Sequence, residues 1–268
     1  MNQNTDKSTE KSTKSNLKPK ARFYVPMPLQ KGQISLPTAV AHHVRVLRLR
    51  SGDTVTVFNG DGAAWLGELD FDAAGACAVN VHSQDETSRE LPFYLTLCQG
   101  LIAPDKMDWV IEKAAELGVM AVQPIAAARS VTKLDAARAT KRLLHWQAIA
   151  QAASEQCGRN RILQILPPQT LPQVIAQSVV RSVEQETVKN LLLHPVGGVS
   201  LQAWARAENS NASARYALWI GPEGGWDAAE LQALEAAQAQ RLTFGARVMR
   251  SETAGLAVAA ALQAVWCG

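Results

Sequence analysis

The stretch that most constrains the fold spans residues 218–254, where two glycine-bearing turns each follow a short apolar run. The first turn, GPEGG at 221–225, follows the strand-like run 216–220, and the second, which begins at Gly245, follows the run 241–244. Each turn precedes a helical pattern, so this stretch predicts strand–turn–helix twice. Ligands of α/β sheets bind at the carboxyl ends of strands, which makes both turns candidate binding loops. Ordinary tight turns are the alternative, because neither turn matches a glycine-rich phosphate-binding pattern.

Strand and helix patterns alternate throughout the second part of the chain, residues 93–268. Strands are predicted at 93–99, 121–125 and 188–193, and helices at 105–117, 136–156 and 253–266. Alternation of this kind predicts βαβ units and a mainly parallel sheet. The last helix is apolar nearly all round, which is typical of burial on every side, either against a second subunit or in the parent core. We expect a homodimer formed through its apolar residues Leu256, Val258, Ala261, Leu262 and Val265.

The first part of the chain reads as a small β-rich module over residues 21–84. Short strand patterns at 22–25, 54–58, 64–70 and 76–82 surround one helical pattern at 38–49. Short strands that close on themselves predict a small barrel. The polar segment 85–92 is the predicted linker between the two domains, and the lysine-rich residues 1–20 are predicted to be a disordered basic tail.

Composition narrows the classes of function. The chain has 268 residues and is 47% hydrophobic and 19% charged, which is typical of a globular protein with a sizeable core. No window approaches the roughly 18 consecutive apolar residues of a membrane span, and the first ten residues lack the apolar region of a secretory signal. We therefore expect a cytoplasmic protein that does not enter a membrane. The four cysteines and five histidines show no zinc or HExxH spacing, which predicts reduced thiols and no metal.

The formal net charge of +3 lies in the tail. Residues 1–20 hold five lysines against two acids, so the remaining 248 residues balance to zero. Affinity for nucleic acid must then come from the tail or from local patches. One such patch is Arg45, Arg48 and Arg50, which either contacts phosphates or complements a helix dipole. The tail has two interpretations as well: it solvates the protein, or it is a weak electrostatic arm for phosphates.

Seven segments carry a resemblance to a known family. They are RFYV at 22–25, HHVRVLRLRSGD at 42–53, KMDWVIEKAAELGV at 106–119, EQCGRNR at 155–161, LLLHP at 191–195, IGPEGGW at 220–226 and GARVMRSETA at 245–254. Together, in this order and spacing, they resemble the RsmE-type 16S rRNA uridine-N3 methyltransferases of the SPOUT class. Two positions depart conservatively from the family pattern, since Phe244 and Met249 stand where leucine is usual.

The resemblance implies a trefoil-knotted α/β domain with a mainly parallel sheet, preceded by a PUA-like β-barrel. It also implies S-adenosylmethionine as the cofactor, and 16S rRNA of the small ribosomal subunit as the partner. The cofactor-binding residues implied by the matching loops are Leu193, His194, Pro195, Gly221, Pro222, Glu223, Gly224, Gly225, Phe244, Gly245, Val248, Met249 and Thr253. The implied RNA-binding residues are Arg22, Arg45, Arg48, Arg50, Arg159 and Arg161.

Methylation at N3 requires loss of the proton that uridine N3 carries. The candidate catalytic residues on the two key loops are Glu223, Arg247, Arg250 and Glu252. Either glutamate acts as the base or stabilises a helix N-terminus, and either arginine stabilises the developing uracil oxyanion or holds a phosphate. Two other functions stay open: a SPOUT enzyme with another RNA target, such as a tRNA ribose 2′-oxygen, or a catalytically silent rRNA-binding protein.

Overall fold

A computed structural model of the protein describes residues 18–183, 188–208 and 214–267. The N-terminal part contains β1 (Arg22–Tyr24), β2 (Gly32–Ser35), α1 (Thr38–Val46), β3 (Thr54–Phe58), β4 (Ala64–Phe71) and β5 (Cys77–Asp85). These strands form one sheet in the order β1-β3-β4-β5-β2, in which only the β1–β3 pair is parallel. Its core includes Phe23, Val55 and Val79. The sequence pattern missed β2, because this strand is short and mostly exposed and so shows no apolar alternation.

The C-terminal part alternates strands and helices. It contains β6 (Tyr94–Gly100), α2 (Pro104–Glu116), β7 (Ala121–Ile125), α3 (Ala136–Cys157), β8 (Gln164–Ile165), α4 (Leu171–Val183), β9 (Val188–Leu193), β10 (Val199–Ser200), α5 (Leu201–Glu208), β11 (Arg215–Ile220), α6 (Ala228–Ala236), β12 (Gln240–Thr243) and α7 (Ser251–Trp266). All pairs in this seven-stranded sheet are parallel, and the order is β10-β12-β9-β11-β6-β7-β8. Because β12, β9 and β11 are neighbours, their carboxyl ends meet at one edge of the sheet.

Local signals in the sequence explain where several helices begin and end. The Asp135 side chain accepts a hydrogen bond from the backbone N–H of Arg138 at the start of α3, and Gly158, with φ 86°, follows the last residue of this helix. Asp227 and Glu230 form a reciprocal capping box at the start of α6. These caps satisfy backbone groups that a helix end leaves without partners. They fix the direction in which α6 leaves the GPEGG turn.

Within this single chain, α7 is buried on one face only. Leu256, Val258 and Leu262 are buried within the core of their own domain, whereas Val265 is 43% exposed and Ala260 is exposed. Alanines on the outer face made the helix look uniformly apolar, although alanine is compatible with either environment. Homodimer formation through α7 stays a prediction, and sedimentation as a monomer at micromolar concentration would contradict it. Within the described ranges, no helix is long and apolar enough to cross a membrane.

The EQCGRNR motif lies where the two domains meet. The Glu155 carboxylate accepts from the backbone N–H of Tyr24 at 2.9 Å, and the Arg22 guanidinium donates to the Asn160 side chain at 2.7 Å. Burial, followed by the nearby charge of Arg89, lowers the pKa of Arg22. The motif therefore joins β1 to the end of α3, which is a structural role.

Two predicted RNA-binding residues, Arg159 and Arg22, are engaged at this interface, and the burial of Arg159 contradicts its assignment to an RNA surface. Arg159 is 2% exposed; it pairs with Glu90 at 2.5 Å and donates to the carbonyls of Ala115 and Val119. Arg22 is half-buried and donates to Arg159 O and Asn160. Both guanidinium groups hold the linker and the two domains together instead of facing solvent.

The predicted tail and linker are partly ordered. Residues 1–17 lie outside the described residues, but Lys20 donates its backbone N–H to Thr54 O at 2.9 Å and pairs with Asp53 at 2.5 Å. The prediction of disorder is therefore wrong for Lys20. In the linker, Leu91 packs against the core of the second domain, and Glu90 is held by Arg159.

Replacing Arg159 with alanine should strongly destabilise the protein, because Glu90 would keep a mostly buried charge without a partner. We expect Arg159→Ala to lower the free energy of unfolding by about 3–5 kcal/mol. The control is Arg89→Ala, which removes a more exposed pair with Asp85 at 3.8 Å and should cost at most about 1 kcal/mol. Urea denaturation measures both, and equal losses would contradict the assignment of Arg159 to the interface.

Candidate active site

The three neighbouring strand ends enclose one cavity. The loops after β9, β11 and β12 line a volume of about 550 Å³ together with the first turns of α2 and α7. All of the predicted cofactor-binding residues except Thr253 line it: Leu193, His194, Pro195, Gly221, Pro222, Glu223, Gly224, Gly225, Phe244, Gly245, Val248 and Met249. All four predicted catalytic residues line it too: Glu223, Arg247, Arg250 and Glu252. Segments far apart in the sequence thus form a single concave site.

Thr253 is the exception. Its side chain is exposed and lies outside the cavity lining, while its backbone N–H donates to Arg250 O at 3.0 Å in the first turn of α7. The helix turns this position away from the cavity that Glu252 faces. Its assignment to cofactor binding stays a prediction, which its place outside the cavity lining does not support.

Glycine allows the loops to pack closely at two places. A Cβ on Gly100, at the end of β6, would lie 2.5 Å from the backbone nitrogen of Pro222. Gly225 has φ 69°, a left-handed backbone conformation that residues other than glycine rarely adopt. The GPEGG turn can therefore lie directly against the end of β6 and still turn sharply into α6.

Two linked hydrogen bonds connect segments around the cavity. The buried Gln99 side chain donates to Ser251 Oγ at 2.9 Å, and Ser251 Oγ donates to the carbonyl of Gly221 at 2.5 Å. These bonds join the end of β6, the start of α7 and the GPEGG turn. Sequence reasoning missed Gln99 and Ser251; a polar residue that ends an otherwise apolar strand was the available signal for Gln99.

One lysine lies between the two glutamates. Lys106 Nζ, in the first turn of α2, is 3.6 Å from Glu223 Oε1 and 3.4 Å from Glu252 Oε1. Glu223 also accepts from the backbone N–H of Ala103, and Glu252 lies in the first turn of α7, so both carboxylates stand at helix N-termini. That location fits the capping interpretation. It does not remove the alternative, since the Glu223 side chain is 29% exposed and lines the cavity.

Some buried polar atoms around the cavity lack a protein partner. They include the indole nitrogen of Trp226 and Oε2 of Glu252. A buried polar atom without a partner costs about 1–3 kcal/mol, so such atoms are normally satisfied by a water or a ligand. Both residues line the cavity. Both atoms are therefore available to a water or a ligand.

Several lining residues were not predicted from the sequence: Lys106, Arg129, Ile220, Trp226, Ser251 and Ala254. Arg129 donates to the carbonyl of Gly224 at 3.2 Å and comes from the loop after β7. Lys106 begins a matching motif, KMDW, but nothing in the spacing placed it beside Glu223. Among the described residues, no group of three or more His, Cys, Asp or Glu side chains is placed to hold a metal ion.

Solved structures of similar proteins contain a bound cofactor. One is the crystal structure of a ribosomal RNA small subunit methyltransferase E from Neisseria gonorrhoeae bound to S-adenosylmethionine. It is 32% identical to this chain, has a TM-score of 0.80, and is matched over 92% of this chain and 98% of that chain. The chain is also similar to a putative methyltransferase from Legionella pneumophila in complex with S-adenosylmethionine, with 31% identity and a TM-score of 0.81 over the same shares.

Curated relatives extend this likeness to nearly the whole chain. The ribosomal RNA small subunit methyltransferase E of Synechocystis sp. is 31% identical over 257 residues, which cover 96% of this chain and 81% of the relative. The protein of the same name from Bacillus subtilis is 30% identical over 217 residues, which cover 81% of this chain and 84% of the relative.

Gly224 tests whether the GPEGG turn binds the cofactor. A Cβ at this position would lie 3.0 Å from Arg129 Cβ and 3.3 Å from its carbonyl oxygen, so Arg129 must shift to admit a Cβ, and valine adds two more methyl groups. We expect Gly224→Val to fold with a loss of about 1–3 kcal/mol. S-adenosylmethionine at a hundred times its Kd should stabilise the wild type by about 2.7 kcal/mol.

The measurement is the ligand-induced rise in Tm. Gly224→Val should show little or no rise, and Gly224→Ala, which adds only the Cβ, should fall between valine and the wild type. A cooperatively folded valine variant that keeps the full rise would show that Gly224 serves only the turn.

The family comparison matches the two parts of the chain to two different families. A family described as an RNA methyltransferase domain matches residues 89–263, and one described as an RNA methyltransferase PUA domain matches residues 36–72. With the similar solved structures, these matches confirm the predicted fold class: a trefoil-knotted SPOUT α/β domain with a mainly parallel sheet, preceded by a PUA-like domain. The chain belongs to the RNA methyltransferase family that includes the ribosomal RNA small subunit methyltransferases E.

Proposed function

We propose that the protein transfers a methyl group from S-adenosylmethionine to N3 of a uridine in 16S rRNA of the small ribosomal subunit. The observation that carries this proposal is the convergence of three strand-end loops, which include the family's IGPEGGW and GARVMRSETA segments, on one cavity. Relatives of the same family that are bound to S-adenosylmethionine support the choice of cofactor.

The residues around the cavity fit this cofactor. A volume of about 550 Å³ lies within the range of small-molecule sites, roughly 300–1,000 Å³. Leu193, Ile220 and Met249 offer an apolar wall for an adenine ring, and backbone groups of the GPEGG turn lie at the same cavity. The carboxylates of Glu223 and Glu252 suit a ligand with cationic groups. The unpartnered Trp226 N–H offers one further donor.

S-adenosylmethionine, when bound, supplies a methyl group activated by attachment to a sulfonium. The protein has to position the uracil N3 in line with that methyl group and remove the N3 proton. Of the two glutamates, Glu223 is the better base: its side chain is 29% exposed, whereas that of Glu252 is 12% exposed and its Oε2 is buried. We assign Glu223 as the acceptor of the N3 proton and Glu252 as a positioning residue.

Lys106 links these two roles. It contacts both carboxylates, so it fixes their separation and compensates part of their charge. Arg247 and Arg250 line the open side of the cavity, and both are exposed. From there they stabilise the negative charge that develops on the uracil oxygens as N3 loses its proton.

The RNA-facing patch consists of Arg45, Arg48 and Arg50 on the PUA-like domain, with Arg161 after α3 of the second domain, and all four are exposed. Arg45 is partly engaged, because it donates to Gly75 O at 2.5 Å. Arg48 has φ 55°, and it occupies the left-handed position after α1 where glycine is usual. An arginine there costs about 1–2 kcal/mol relative to an unstrained position, which supports a role in binding and not in folding.

The direct test is incubation of the protein with labelled S-adenosylmethionine and small ribosomal subunits, followed by digestion of the rRNA and identification of the nucleoside. We expect 3-methyluridine. Recovery of ribose-methylated nucleosides alone would favour the other RNA target class. Binding to the subunit with no transfer of label at all would favour the silent rRNA-binding protein.

Replacing Lys106 tests the proposed arrangement of the two glutamates. Lys106→Met should reduce the single-turnover rate of methylation at least tenfold, because two carboxylates would then share a site without their common cation. The matched control is Lys113→Met, on the same helix, where the lysine also pairs with two glutamates but on the outer surface. Single-turnover methylation at saturating cofactor measures both. Equal rates for the two variants would contradict the role of Lys106.

A further inference from the structure

A second cavity lies on the methyltransferase domain beside the active site. It has a volume of about 530 Å³ and is lined by the start of α3 and the loop before it: Thr132, Lys133, Leu134, Arg138, Lys141, Arg142 and His145. We call these residues the basic groove. None of them was among the RNA-binding residues expected from the sequence, which lie on or next to the PUA-like domain.

The groove concentrates positive charge in a body that is otherwise neutral or acidic. Residues 129–145 hold five Lys or Arg side chains and one acidic side chain, a net charge of +4. Since residues 21–268 balance to zero, the rest of that body carries −4. Such a local excess attracts polyanions even when the whole domain is not basic.

Most of these cations are available for a ligand. Arg138 pairs with Asp135 at 3.4 Å, but both side chains are largely exposed, and His145 contacts Asp108 at 2.8 Å. Lys133, Lys141 and Arg142 have no ion pair with any other residue that the structure describes. Exposed ion pairs contribute little, so the Arg138 pair can be exchanged for a phosphate at small cost.

The spacing of the cations favours an extended ligand. Arg138, Lys141, Arg142 and His145 follow at i, i+3, i+4 and i+7 along α3, so they share one face of the helix. The face extends over about 10 Å, since an α-helix rises about 1.5 Å per residue. A single phosphate needs only two or three donors at one point. A row of this length matches consecutive phosphates of a nucleic-acid strand.

The groove is connected to the active site by a short, fixed path. Arg129 lines the cofactor cavity, and Lys133, four residues later, lines the groove, so their Cα atoms are at most about 14 Å apart. The loop between them is anchored by a hydrogen bond of 2.8 Å from the Thr132 hydroxyl to the carbonyl of Ile102. Ala103, which follows Ile102, donates its backbone N–H to the Glu223 carboxylate. A strand whose base enters the active site would pass this loop.

We propose that the basic groove binds the phosphate backbone of the rRNA strand that flanks the target nucleotide. This assignment rests on the proposed function for the identity of the RNA. It places a second RNA contact on the methyltransferase domain, next to the chemistry, in addition to the patch on the PUA-like domain. Two separate contacts with the RNA fix the position of the target better than one.

Charge reversal in the groove tests the assignment. Arg142→Glu and Lys141→Glu should each weaken binding to protein-free 16S rRNA about tenfold near 0.1 M salt, through loss of a phosphate contact and added repulsion. Each should also reduce the slope of log K against log salt by about 0.7–0.9. The Tm shift with S-adenosylmethionine should stay at the wild-type value, which shows that the variants fold and keep the cofactor site.

The matched control is Arg206→Glu, an exposed arginine on α5 outside the groove, which should leave RNA affinity and slope nearly unchanged. The proposal would be overturned if both groove variants bound rRNA with the same affinity and the same salt slope as Arg206→Glu. Weaker binding to assembled subunits but not to protein-free rRNA would assign the groove to a ribosomal protein and overturn it as well. If the wild type binds rRNA but transfers no methyl group, the proposed function fails, whereas a salt-dependent loss in the variants still supports the groove.

Discussion

The hydrogen bond from Ser251 to the carbonyl of Gly221 is the contact on which the site most depends. It ties the first residue of α7 to the turn after β11, and Gln99 extends the same connection to the end of β6. These three points come from distant parts of the chain. Parallel pairing brings the strand ends side by side, but pairing alone does not fix the loops beyond them. The buried side-chain bonds do, and they leave a cavity of defined shape between the loops.

Tight backbone packing makes this connection possible. Gly100 has no side chain where Pro222 lies, and a Cβ on Gly255 of α7 would be 2.6 Å from Leu97. Because interiors are close-packed, such positions tolerate almost no added atom. The same packing holds Lys106 within reach of both Glu223 and Glu252. Geometry that serves the fold thus also sets the distances between the charged groups of the active site.

The sequence predicted most of the longer elements of the second domain, because their apolar runs and turns are strong local signals, but it missed α4, α5 and the short strands β8 and β10. The pattern at 216–220, for example, corresponds to β11 at Arg215–Ile220. Local patterns say little about contacts across the chain. Arg159 was expected on an RNA surface and is buried at the domain interface instead, and Arg22 is half-buried at the same interface, since exposure of an arginine cannot be read from its neighbours in sequence. Lys106 was missed for the same reason, because its partners lie more than a hundred residues away.

The central claim is that the loops after β9, β11 and β12 together hold S-adenosylmethionine. Hydrogen exchange of the backbone amides, measured with and without saturating cofactor, tests it most directly. The account predicts slower exchange in residues 193–196, 221–226 and 244–252, and unchanged exchange in the strands of the PUA-like domain. Protection confined to other segments, in a protein shown to bind the cofactor, would contradict it.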